Sequence, residues 1–224
     1  MKRLIKPVML GIFFAFILLT VKSIFKIDDD VFKTLSFSFF GIILAGALAF
    51  NILWTAPARK KLLALMKEAE EGNGQNAVNE LEIMVKDAED KGKARTASFY
   101  KVNLAAAYIE TREFQKATDT IDSIDKKYLK GDLKLVTELN KVQACFMNGD
   151  KGAAVKYFEE NEKLFKESEK RKNYAANIAI VTCLYLVAKG NTEEAEKYLK
   201  EKESYFSSPR FKKSYLEIEE ILSR

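Results

Sequence analysis

Histidine is absent from this 224-residue chain, which removes the commonest general base and the commonest metal ligand together. Cysteine is nearly absent too. Cys145 and Cys183 stand alone, with no Cys-x-x-Cys spacing, which excludes a zinc ribbon or a redox pair of that kind. Each falls on the apolar side of a predicted helix and reads as a reduced residue acting as a small hydrophobe. Three prolines and ten glycines are few, and no alternating run bounded by turn residues occurs, so strands are not expected. No phosphate-cradling glycine loop, no nucleophile beside a base and no paired carboxylates in an apolar setting are found. Asp28–Asp30 is a carboxylate triplet without the glycine-containing loop that calcium needs, and reads as a solvated turn. No basic block interleaves with aromatics, so nucleic acid is not an expected partner. The chain is read as a non-enzyme with no cofactor, no metal and no catalytic residue.

What is present divides in two. The sequence is 48% hydrophobic and 31% charged, and the greasy part lies at the N-terminus. Only six Lys or Arg and three Asp occur up to Thr55, so 31 of the 37 basic and 29 of the 32 acidic residues lie beyond it. The remainder is therefore close to neutral. Residues 1–55 read as a membrane hairpin with spans at about 4–25 and 34–55. Pro7–Val21 carries no charge, and no A-x-A-like site follows it, which favours a retained span over a cleaved signal peptide. Thr34–Ala58 is uncharged, with Trp54 placed as an interfacial anchor. Gly11 and Ala15 in the first span, and Gly41, Ala45 and Ala49 in the second, recur every four residues as small-residue faces for helix packing. Three basic residues before the first span and Arg59, Lys60, Lys61 and Lys67 after the second outnumber the three between them. The positive-inside rule then puts both termini, and the region after residue 55, on the cytoplasmic side of a cell membrane as a two-span protein.

Residues 56–224 read as helical throughout. Pro57 is placed to open a helix running to about Glu71. The informative stretch is Asn103–Ile124: Leu104, Ala105 and Tyr108 share one helical stripe, and Phe114, Ala117, Ile121 and Ile124 share a second. The pattern repeats. Gly72, Arg112, Gly149 and Gly190 are each followed five residues later by Ala77, Ala117, Ala154 and Ala195, then four later by Leu81, Ile121, Phe158 and Leu199. This resembles the tetratricopeptide repeat (TPR), with Arg112 standing where a glycine is usual and a period longer than the common ~34. The resemblance implies an all-α array: a TPR-like α-solenoid of about four helix-turn-helix units behind the spans. A final helix starting at Ser207-Ser208-Pro209, with Phe211, Tyr215, Ile218 and Leu222 on its apolar stripe, reads as the cap. The order of spans, basic flank and helices is also similar in layout to a bacterial membrane family associated with haem biosynthesis, a likeness that carries no residue and no activity.

The family implies a concave surface lined by the first helix of each unit. Asn103 and Asn140 occupy equivalent places there, but without cations around them they do not make a carboxylate clamp, and they read as bonding nearby backbone. A groove would use Phe99, Val102, Asn103, Ile109, Leu139, Asn140, Gln143 and Phe146, and would suit an apolar or amphipathic segment. The expected function is a membrane-anchored, non-catalytic scaffold that binds a protein or peptide. The alternative is a regulatory or assembly subunit of a membrane complex that works through its spans.

Overall fold

The computed structural model describes residues 17, 20, 22–24, 26 and 28–223. They form helices, short 3-10 turns and loops, and no strand occurs among them. In chain order the helices are α1 (Asp29–Glu70), α2 (Gly74–Asp90), α3 (Ala94–Glu110), α4 (Phe114–Asp122), α5 (Asp132–Met147), α6 (Lys151–Ser168), α7 (Ala175–Ala188), α8 (Thr192–Glu201) and α9 (Pro209–Leu222). The chain divides into two compact units, Met1–Lys61 and Leu62–Arg224, with the division inside α1.

The first unit corrects the membrane reading. Among the described residues no helix is long and apolar enough to cross a membrane. A span needs roughly 20 consecutive apolar residues on one helix. Of the first expected span, residues 4–25, only Ile17, Thr20 and Lys22–Ile24 are among the described residues, and Gly11 and Ala15 lie outside them. α1 opens on Asp29 and Asp30, with Lys33 pairing Asp30 at 3.2 Å and Lys22 pairing Asp29. The two spans, the cell-membrane placement and the topology deduced from them are therefore set aside. Gly41 and Ala45 are exposed positions of α1, and Ala49 lies within the same helix. The helix expected to begin at Pro57 is also corrected: α1 runs through that residue without a break, and its end at Glu70 falls close to the expected Glu71. A proline takes one hydrogen bond out of a helix interior but does not by itself terminate it.

The second unit is a row of helical hairpins. α2 packs on α3, α3 on α4, α5 on α6 and α7 on α8, the end of α1 shares an apolar cluster with α2–α4, and α9 closes the row. Five helices end in the same way. At the α1, α2, α3, α5 and α7 ends, a residue with positive φ is followed by one whose N–H reaches back five residues, as in Asn73 N–H to Glu68 O (2.9 Å) and Asp150 N–H to Cys145 O (2.9 Å). Four of these positions are glycine. The fifth is Arg112, at φ 63°, a conformation costing a residue with a Cβ about 1–2 kcal/mol.

The alanines after the turns set how closely the hairpins pack. Ala77, Ala117, Ala154 and Ala195 are fully buried, and Leu81, Ile121, Phe158 and Leu199 four residues on are buried too. Close approach recurs at Gly74, where a Cβ would stand 2.7 Å from the Thr111 methyl. Two apolar clusters result. One joins Leu62, Leu65 and Ala69 of α1 to α2, α3 and α4, and the other is built around α5–α9. Helix α7 is apolar on nearly every side and touches α5, α6, α8 and α9, as a helix does when neighbours surround it. One buried cation stitches the row across: Lys141 of α5, 4% exposed, puts its ammonium 2.6 Å from Asp122 at the end of α4 and 5.1 Å from the Tyr157 ring centre on α6.

Candidate functional site

Helices α3, α5, α7 and α9 form one layer. α3 packs on α5, α5 on α7 and α7 on α9, whereas α2, α4, α6 and α8 have no comparable contact with one another among the described residues. Helices crowded on one side and spread on the other curve the row, and the crowded side is concave. A cavity of about 480 Å³ opens on that side, lined by the end of α1 and by α3, α5 and the start of α7. Its walls alternate in character. Leu63, Met66, Val102, Ala106, Ile109, Val136, Leu139 and Val181 are apolar, whereas Asn103, Asn140, Gln143, Asn173 and Asn177 present amides. Lys67 and Glu110 are its only ionisable side chains besides Tyr174, so the groove is close to neutral.

Six of the eight expected groove residues meet here: Val102, Asn103, Ile109, Leu139, Asn140 and Gln143. The other two do not. Phe99 sits outside the cavity, 39% exposed beside the Tyr100 ring, and Phe146 turns into the apolar cluster with the Lys151 ammonium 5.8 Å from its ring. Asn103 donates its amide N–H to Phe99 O in its own helix (2.8 Å), and Asn140 donates to Val102 O in the neighbouring one (3.4 Å). The second bond links α5 to α3 in register. An amide carries two N–H groups and an oxygen with two lone pairs, so each asparagine keeps capacity beyond these bonds.

The α7 wall was not foreseen. Asn173, Tyr174, Asn177 and Val181 complete the groove, and the signal for them lay in the spacing: Asn177 follows Asn140 by the same 37 residues that separate Asn140 from Asn103. The start of α7 is pinned at the rim. The Arg171 guanidinium lies 2.6 Å from Asp132 and over the Tyr174 ring, and the Tyr174 hydroxyl donates to the same carboxylate at 2.9 Å. The Arg171 and Tyr174 hydrogen bonds hold the Asp132 carboxyl below its ordinary range, and burial pushes the Tyr174 phenol upward.

Other perturbed groups lie away from the groove. Burial pushes the Cys183 thiol up to about 12 and the Tyr198 phenol up to about 12, and raises Cys145 in the same direction. Both cysteines are free and buried. Among the described residues no group of three or more acidic or sulfur ligands is placed to hold a metal ion. Compared with protein families, curated proteins and solved structures, the chain matches none.

Proposed function

We propose that the helical array is a non-catalytic, TPR-like adaptor whose groove holds a polypeptide segment of a partner protein. One observation carries this reading: Asn103, Asn140 and Asn177 recur at 37-residue intervals, one on each of three consecutive groove helices, and all three line the same cavity. Side-chain amides set at a regular pitch match the regular donors and acceptors of a peptide backbone. The apolar positions between them take up small or medium side chains. The near-neutral lining suits a segment without strong net charge, since a charged one would be desolvated with little to pair it.

The test is peptide display against the full-length chain, with enriched sequences measured again on an Asn103→Ala/Asn140→Ala/Asn177→Ala variant. Its helicity and thermal midpoint are checked against the parent. Three lost hydrogen bonds at about 1 kcal/mol each predict affinity weakened by about a hundredfold. Enriched peptides that bind the folded variant as tightly as the parent overturn the proposal.

A further inference from the structure

Arg112 holds a backbone conformation that the four equivalent helix ends give to glycine, at Gly72, Gly92, Gly149 and Gly190. A glycine there would fold the turn without strain, so the side chain is the part to explain. It reaches 105 residues along the chain: its Nη2 lies 2.9 Å from Oε1 of Glu217 on α9. Helix α9 is also seated by buried Ile218 and by Tyr215, edge-on to Phe206 at 5.3 Å. Between these two attachments Lys213, Ser214 and Glu217 cover a second cavity of about 410 Å³ with Ile109, Glu110 and Lys67. Those last three also line the groove, so the two cavities adjoin. α9 therefore lies where a segment leaving the groove along the α3 end would run.

We propose that α9 is a releasable strap over the end of the groove, with the Arg112–Glu217 pair as its catch. The proposal rests on the groove being the working surface and adds how entry to it is controlled. Release is a local opening of α9, its own hydrogen bonds included, while the preceding helices stay folded. The catch is a single ion pair with Arg112 about two-thirds exposed, and such a pair is weak and salt-sensitive. It holds the strap closed most of the time and releases it without unfolding the array.

The experiment uses the full-length chain and needs no partner. Arg112→Gly keeps the turn foldable, Glu217→Gln removes the other half of the catch, and Arg112→Glu with Glu217→Arg restores it reversed. Hydrogen exchange is followed at the amides of residues 213–222, and alkylation by iodoacetamide at a cysteine introduced as Met147→Cys, in the cavity that α9 covers. Each single variant is expected to exchange α9 amides about 3–5-fold faster, as is the parent at about 0.5 M salt. The reversed pair returns to the parent rate. Alkylation rises about threefold when the catch is lost, in keeping with the same small population shift. Exchange in α9 unchanged by Arg112→Gly, or alkylation indifferent to it, overturns the strap. Because neither readout involves a bound segment, the strap can fail while peptide display still succeeds, and the reverse.

Discussion

The two halves of the array reach the same hairpin architecture with different shares of aromatic packing. Around α2–α4 alanine (Ala77, Ala88, Ala97, Ala105, Ala107 and Ala117) and branched residues such as Val78, Leu81, Leu104 and Ile121 are buried together, and Tyr108 is the one buried aromatic. Around α5–α9 the buried surface is aromatic and branched: Phe146, Phe158, Phe165 and Phe206 beside Leu135, Leu184 and Leu199. Helix α5 faces both, giving Ala144 to the first cluster and most of its other apolar residues to the second. In the first half close approach is seen at Gly74, where a Cβ would stand 2.7 Å from the Thr111 methyl. In the second, ring packing is added, with the Phe165 and Tyr185 rings 5.3 Å and 4.1 Å from that of Phe158. The same substitution therefore has different consequences in the two.

The sharpest way to break the comparison is to empty the aromatic half. Phe165 is 1% exposed, with its ring 5.3 Å from that of Phe158. Phe165→Ala is expected to cost about 3–5 kcal/mol in urea unfolding, since a rigid surround leaves a cavity. The counterpart in the first half is to fill it. Ala105 is fully buried where α3 meets its neighbours, and Ala105→Leu is expected to cost about 1–3 kcal/mol by overpacking. If Ala105→Leu proves neutral by the same measurement, the close-approach account of that half is wrong.

Smaller effects sharpen the comparison at the turns. Gly149, at φ 88°, and Arg112, at φ 63°, are equivalent positions in the two halves. Gly149→Ala is expected to lower stability by about 1 kcal/mol, and Arg112→Gly to raise it by up to about that amount, less whatever the exposed ion pair contributes. Thermal melts of the two variants should move in opposite directions. Last comes alkaline pH. The folded C-terminal half keeps protons on Cys183 and Tyr198 up to about pH 12, and the Glu169 carboxylate 3.0 Å away raises the Lys202 ammonium. In the unfolded chain these groups lose their protons near about 8.5, 10 and 10.4. The folded state therefore binds more protons above about pH 9, and stability falls as pH rises from there toward 12. Tyr198→Phe should flatten that fall in a urea series across pH, and an unaltered slope would remove Tyr198 from the account.

Much of the array was legible because it is local physics. Turn residues with positive φ, an alanine five residues on and a large apolar residue four beyond that are written within single hairpins, where periodicity of 3.6 decides which side is buried. Cys145 and Cys183 are legible as core residues for the same reason. The groove was legible in two of its walls, since Val102, Asn103, Leu139 and Asn140 sit on stripes that can be drawn helix by helix. Phe99 and Phe146 lie on the same drawn stripes yet fall outside the groove, one beyond its end and the other turned under it. A stripe gives a direction around one helix axis, and the depth at which the next helix crosses it depends on the whole row. The long uncharged stretch before residue 58 misled for a related reason. An apolar run marks residues that could be buried, not residues that are: Phe37 and Phe40 of α1 are exposed.

By itself the sequence determined the all-α class, the positions of the turns and the identity of the small residues between hairpins, because those depend on contacts within about 40 residues. Only the tertiary structure decided that α7 supplies a further wall of the groove, that Lys141 joins three helices, and that α9 returns to Arg112 from 105 residues away. Those outcomes follow from the accumulated rotation of one hairpin on the next. No single segment encodes that rotation, so it becomes visible only when the whole row is assembled.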